Sequence, residues 1–221
     1  MRLILVRHGQ TPSNIHGLLD TDAPGPGLTE LGLAQAEAVP DALAQQPVDR
    51  IFVSTLVRTH LTAAPLVRVR GIDPVELDGF REVQAGDLEG TNTPQNQRTY
   101  IGTAFAWARG DRELAIPGGP TGAQFFARYD DAAARAAHAV GPEGTAAVFS
   151  HGAAIRCWSS ARIRGLDVAQ MEDTPLANTG YVIAEGDPRG GWDLVEFHNA
   201  PAGGEALAVA TPAGDPTGAQ G

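Results

Sequence analysis

Apolar and polar positions along the 221-residue chain change period several times, and each change marks an element. Residues 3–6 form an unbroken, partly branched apolar run that stops abruptly at Arg7, which predicts a buried strand. From residue 29 to about 44 the period lengthens, with Leu31, Ala34, Ala38 and Leu43 near helical spacing behind a threonine cap. Pro40 is expected to kink that helix. Residues 50–53 predict a second strand, 55–67 a second helix and 74–77 a short strand. Residues 93–109 and 121–140 read as helices separated by the breaker run "IPGGPTG", the second alanine-rich with an apolar stripe. A strand at 146–149 runs into a helix at 152–164, and segments 181–184 and 192–197 are expected to pair as a hairpin across "EGDPRGG". Strands separated by helices predict an α/β chain, a three-layer α/β/α sandwich around a mainly parallel sheet. We expect a single domain over residues 1–200. The remainder, 201–221, is poor in core residues and dense in Gly, Pro and Ala, and reads as an irregular tail packed lightly or not at all.

Composition narrows the function classes. A hydrophobic content of 43% supplies one sizeable core. No apolar stretch approaches the roughly 20 residues of a membrane span, and the first strand follows Met1 without a charged leader, so the chain is expected to be soluble and cytoplasmic. The single Cys157 cannot form an internal disulfide, and no cysteine pair offers a zinc site. A net charge of −10 argues against a general affinity for nucleic acid or anionic lipid. Any anionic ligand must therefore be held by a local cluster of arginines.

Such a cluster is legible at the strand ends, where ligands gather in sheets of this kind. The first strand ends in "VRHG", the second in "VSTLVRT" and the one near residue 148 in "VFSHG". Arg7, His8, Arg58 and His151 are thus expected at one edge of the sheet, and two arginines with two histidines suit a dianion. The guanidinium fork matches phosphate oxygens two at a time, and Gly9 is expected to allow close backbone approach to the same group. Asn14 and Gln10 on the following loop can add neutral donors.

The same residues carry a family resemblance. "LVRHGQTPSN", "STLVRTHLTA" and "FSHGAAIR", together with "GLTELGLAQAE" and "REVQAGDLEG", resemble the histidine phosphatase superfamily, the phosphoglycerate mutase-like proteins. These blocks cover most of residues 1–160, and after Arg164 only "PLANTG" is similar to a family element. The resemblance implies two-step phosphoryl transfer. His8 attacks phosphorus to give a phosphohistidine; Arg7, Arg58 and His151 neutralise the equatorial oxygens; Glu82 protonates the leaving oxygen and later deprotonates the attacking water. It implies no metal and no cofactor. Asp78, Asp87 and Glu89 are nearby carboxylates that could serve in place of Glu82. Gly9, Gln10, Asn14 and Gly152 are implied substrate contacts beside the charged residues, with Asn178 a further candidate.

Departures from the family pattern bear on substrate. Many members carry Glu where this chain has Gln10, and "REVQAGDLEG" and "RHGQTPSN" lack the basic, aromatic and Trp-bearing features of mutases. The turn "PGGPTG" has Pro120 and Thr121 where members often have Glu, which is expected to alter the substrate pocket. The leading expectation is a metal-independent phosphomonoesterase acting on a small phosphorylated metabolite, with inorganic phosphate as a ligand. The alternatives are a 2,3-bisphosphoglycerate-dependent phosphoglycerate mutase and a non-catalytic phospholigand-binding module. Neither nucleic acid nor membrane is an expected partner, and a homodimer is the default oligomer. His16, His60, His138 and His198 are expected to be structural, Cys157 a small buried filler, and the three tryptophans core or rim.

Overall fold

In the computed structural model, which describes residues 1–174 and 176–208, the first apolar run becomes strand β1 (Arg2–Arg7) at the centre of a seven-stranded sheet. Leu3, Ile4, Leu5 and Val6 are all fully buried, because successive side chains point to opposite faces and both faces are covered. Leu3 and Leu5 pack into one cluster with Phe52, Phe80 and Val148. Ile4 and Val6 pack into the other with Val39, Ala63 and Leu66. Each such side chain contributes about 1.5–3 kcal/mol on burial, so the strand that presents the site is firmly anchored on both faces.

The other strands are β2 (Arg50–Val53), β3 (Pro74–Glu76), β4 (Thr145–Ser150), β5 (Ile163–Arg164), β6 (Tyr181–Asp187) and β7 (Gly191–His198), in the spatial order β3-β2-β4-β1-β6-β7-β5. The pairings β3–β2, β2–β4, β4–β1 and β5–β7 are parallel, whereas β1–β6 and β6–β7 are antiparallel. Helices α2 (Glu30–Ala42) and α3 (Val57–Arg70) supply Val39, Ala63 and Leu66 to one face. Helices α4 (Pro94–Ala108), α5 (Gly122–Val140) and α6 (Gly152–Arg162) supply Phe105, Tyr129 and Ile155 to the other. The expected three-layer arrangement is therefore observed. Thr29, Thr93 and Thr121 cap α2, α4 and α5, each side chain accepting the backbone N–H three residues on.

Two short helices were not anticipated: α1 (Pro12–His16), inside the loop after β1, and α7 (Val168–Asp173). The helix expected over 152–164 stops at Arg162, and Ile163–Arg164 becomes β5, pairing with Trp192 and Asp193 of β7. The Arg164 fork binds both Asp193 carboxylate oxygens, at 2.7 and 2.6 Å. A two-residue strand has no local signal; it exists because the edge of β7 is there to receive it. At the start of the presumed tail, Pro201 and Ala202 are buried, and the Leu207 carbonyl accepts from Gln35 Nε2 at 2.9 Å. Residues 209–221 lie outside the described residues.

Candidate active site

The carboxyl end of β1 delivers the first two residues of the site. Arg7 is the last strand residue and is buried, with Nη1 donating to the Leu176 carbonyl at 2.7 Å. The parallel register sets Arg7 opposite Ser150, so the residues that follow, His8 and His151, stand side by side with ring centroids 5.3 Å apart. The backbone of His8 is fixed from both sides. Its N–H donates to Ser150 O at 3.0 Å, and its carbonyl accepts from Asn178 Nδ2 at 3.0 Å. The His8 ring has a defined tautomer: Nδ1 lies 2.7 Å from the Gly9 carbonyl, an atom that can only accept, so Nδ1 carries the proton and Nε2 keeps its lone pair. Burial, then Arg58, then Arg7 hold the His8 pKa well below 6.5, which favours the neutral ring with a free lone pair on Nε2.

Arg58 enters from the first turn of α3. Its Nη2 donates to Asp20 O at 2.9 Å, while Nε and Nη1 are buried without a hydrogen-bond partner. Nη1 faces Asp20 Oδ1 only at 4.0 Å; buried guanidinium donors without a hydrogen bond are uncommon and costly, and each can donate to an oxygen of a bound anion. His151 bonds Ser54 Oγ through Nε2 at 2.8 Å, and its Nδ1 is likewise buried and unpartnered. Burial, then Arg58 and His8, keep His151 well below 6.5 as well.

Glu82 is fully buried at the amino end of α6. One carboxylate oxygen accepts from Val83 N at 2.8 Å and Ala154 N at 2.7 Å, the other from Ala153 N at 3.2 Å. Burial raises its pKa above 4.5, against the opposing pull of those three amides and Arg58. The segment that bears it is stitched down by Arg128 of α5, whose guanidinium donates to the carbonyls of Gly79, Arg81 and Glu82 at 2.7, 2.9 and 2.6 Å. His8, Asn14, Asp20, Arg58 and Glu82 line one narrow cleft. A nucleophilic nitrogen, unsatisfied cationic donors and a carboxyl poised to protonate thus meet in one place, which is the equipment of phosphoryl transfer.

The family model of the histidine phosphatase superfamily (branch 1) matches residues 3–200. The chain belongs to this superfamily. It is 36% identical over 222 residues to the PE-PGRS family protein PE_PGRS11 of Mycobacterium tuberculosis, covering 93% of this chain and 38% of that one. It is 36% identical over 132 residues to the adenosylcobalamin/alpha-ribazole phosphatase of Salmonella typhimurium, covering 58% of this chain and 62% of that one. The chain therefore spans between about two fifths and three fifths of the length of these curated relatives. Among solved structures it resembles a complex of mycobacterial glucosyl-3-phosphoglycerate phosphatase with inorganic phosphate, with a TM-score of 0.71, 27% identity, and coverage of 91% of this chain and 98% of that one. No helix among the described residues is long and apolar enough to cross a membrane.

In this member of the histidine phosphatase superfamily the four strand-end residues do converge, and Glu82 joins them. Asp78 instead pairs with Arg81 at 2.7 Å, and Glu89 accepts from the Thr21 hydroxyl at 2.5 Å and the Thr21 N–H at 2.7 Å. Asp87 lies against Gly118 on the rim of a separate, wider cleft that also takes in Pro120, Gln124 and Arg128. Asn14 lines the site; its Oδ1 accepts from Thr11 and Asn178, leaving its NH₂ group available. Gln10 does not line the cleft: its N–H donates to Gln35 and its side-chain oxygen accepts from the Thr29 hydroxyl at 2.8 Å, so it ties the loop to α2. Gly9 has a different job from the expected one. A Cβ there would sit 2.6 Å from Gly32 O, and its N–H is taken by Thr62 Oγ1 at 2.9 Å, so its small size admits the start of α2. Gly152 opens α6, and Thr121 caps α5 through Gln124.

Among the remaining histidines, His60 faces Glu76 at 3.1 Å and His198 stacks on Tyr181. Cys157 is fully buried, its thiol pushed up by burial, and Trp107, Trp158 and Trp192 are all in the core. Sequence reasoning missed Asp20, Ser54, Thr62 and Arg128. Ser54 was visible in "VSTLVRT" as a hydroxyl at a strand end; Arg128 carried no signal, because its partners are carbonyls roughly 50 residues away, at separations of 46 to 49.

Proposed function

We propose that this protein is a metal-independent phosphomonoesterase that hydrolyses a small phosphorylated metabolite through a phosphohistidine. The observation that carries this reading is the locked His8 tautomer beside two Arg58 donors that have no hydrogen-bond partner. The lone pair of His8 Nε2 attacks phosphorus as the ester P–O bond breaks. Glu82, kept protonated more readily than an exposed carboxyl, gives its proton to the departing oxygen. Water then attacks the phosphohistidine, Glu82 takes the proton back, and the N–P bond breaks with its electron pair returning to the ring. Arg7, Arg58 and His151 hold the three equatorial oxygens; such preorganised donors are usually the largest catalytic contribution. Asn14 is a neutral donor to the same group. The narrow cleft supports a small ester, as do relatives named as phosphatases of α-ribazole and glucosyl-3-phosphoglycerate.

The reading includes a cytoplasmic setting, supported by the single buried, unpaired cysteine, and a homodimer, the commonest arrangement of soluble oligomers, which light scattering decides. The test is a panel of phosphate esters with release of free phosphate measured, with and without EDTA, orthovanadate and 2,3-bisphosphoglycerate. Release that resists EDTA and is blocked by vanadate is expected. No release from any ester overturns the proposal, inactivation by EDTA overturns its metal-independent part, and dependence on the bisphosphate makes the chain a mutase.

A further inference from the structure

Ser54 lies at the end of β2 and is fully buried. Its hydroxyl oxygen is 2.8 Å from His151 Nε2, accepts the Leu56 N–H at 3.2 Å and lies 3.2 Å from Thr59 Oγ1. The Thr59 hydroxyl has carbonyl acceptors of its own, Leu56 O at 2.8 Å and Ser54 O at 3.1 Å, so the Ser54 proton is not displaced by one from Thr59. The nearest and most basic acceptor for it is the imidazole nitrogen. On the far side of the ring Nδ1 is buried and has no hydrogen-bond partner, and the ring stands edge-on to that of His8 with centroids 5.3 Å apart.

From this chain of hydrogen bonds we infer that Ser54 is a positioning residue: it donates to His151 Nε2 and thereby keeps the His151 proton on Nδ1, where it serves as a neutral donor to the anion. The alternative ordering, with Nε2 protonated and Ser54 accepting, turns the Nδ1 lone pair toward the oxygens of a bound dianion, which is repulsive. His8 and His151 then share a protonation pattern for opposite purposes. A carbonyl, Gly9 O, fixes the His8 proton on Nδ1 and frees Nε2 to attack. A hydroxyl, Ser54, fixes the His151 proton on Nδ1 so that this nitrogen binds. The second partner of an imidazole commonly selects the tautomer in this way.

This inference rests on the phosphatase reading only for its catalytic consequence; the tautomer is a property of the free protein. The experiment is a long-range ¹H–¹⁵N correlation spectrum of the ¹⁵N-histidine-labelled chain, with and without inorganic phosphate, the His151 signals being assigned by their loss in His151→Gln. An Nδ1–H, Nε2-unprotonated pattern in both states is expected, and an Nε2–H pattern in either overturns the proposal without any variant having to fold. Ser54→Ala should mix or reverse the tautomer and weaken vanadate and phosphate binding about tenfold or more, the scale of a hydrogen bond to a charged group. Ser54→Thr should restore both. Unchanged binding and an unchanged His151 spectrum in a folded Ser54→Ala overturn the assignment. Failure of the wild type to bind phosphate or vanadate at all counts against the phosphatase reading, and the free-protein spectrum still decides the role of Ser54.

Discussion

Replacing Glu82 by Gln keeps the shape of the side chain and removes its capacity to move a proton. The structural cost is readable from its three partners. If the amide oxygen takes the place of the carboxylate oxygen bonded to Val83 and Ala154, those bonds at 2.8 and 2.7 Å survive, and the new NH₂ group faces the Ala153 N–H at 3.2 Å. The Ala153 N–H loses its acceptor and the NH₂ group brings two more donors to the same place, at about 1–3 kcal/mol for each donor left unsatisfied. The low end applies because the lost bond is the longest of the three and a neutral amide removes the cost of burying a charge. The protein should therefore stay folded, with a modest loss of stability. The chemical cost is larger and selective. A positioned general acid contributes about 10²–10⁴-fold, and all of it is at stake for an alkyl phosphate, whose leaving group is strongly basic. p-Nitrophenyl phosphate needs little protonation and should lose about tenfold or less. The assay is formation of phosphohistidine in a single turnover with enzyme in excess, because in the proposed mechanism hydrolysis of the phosphoenzyme uses the same residue as a base. Equal slowing of the two esters would refute the assignment of Glu82 as the acid, and Asp20, the other carboxylate lining the cleft, would become the next candidate.

His8→Ala should abolish turnover while leaving the far-ultraviolet circular dichroism unchanged, since the ring contributes to chemistry and not to the two apolar clusters; near-normal hydrolysis in a steady-state assay rules out the phosphohistidine. Arg58→Ala should raise KM and lower kcat for every ester tried, by about 10²-fold or more in kcat/KM, because in the proposed mechanism the guanidinium holds the dianion in ground and transition states alike; a loss confined to one ester contradicts this. Stability should fall on acidification from pH 7.5 to 5.5. His8 and His151 have native pKa values held well below 6.5 by burial and Arg58, so below about pH 6.5 the unfolded chain binds more protons, and each imidazole contributes a slope of about 1.4 kcal/mol per pH unit until the native ring titrates. Glu82, raised by burial from 4.5, has the opposite sign: its contribution is present below 4.5 and is lost as pH rises through its native pKa. Denaturant midpoints should therefore drop toward pH 5.5, less steeply in His151→Gln, and a midpoint that rises on acidification refutes the argument.

What the amino-acid order determined by itself is what local periodicity and adjacency encode. The apolar run of β1 and the threonine caps at 29, 93 and 121 are local signals, and Arg7, His8, Arg58 and His151 were legible because each lies within a few residues of a strand end and parallel register aligns those ends. Glu82 was reached only by resemblance. It lies between two 3-10 turns, Asp78–Phe80 and Gly86–Leu88, in a stretch with three other carboxylates and no periodicity to rank them. The ranking comes from α6, whose free N–H groups receive the Glu82 carboxylate, and from Arg128 on α5, both far away in the chain. Tertiary structure alone also decided that Gly9 makes room for Gly32, that Gln10 ties the loop to α2, that Ile163–Arg164 leaves the helix for the edge of β7, and that Ser54 meets His151. In each case the deciding partner is a backbone atom, a sheet edge or a side chain brought close only by packing, and the sequence carries no local trace of it.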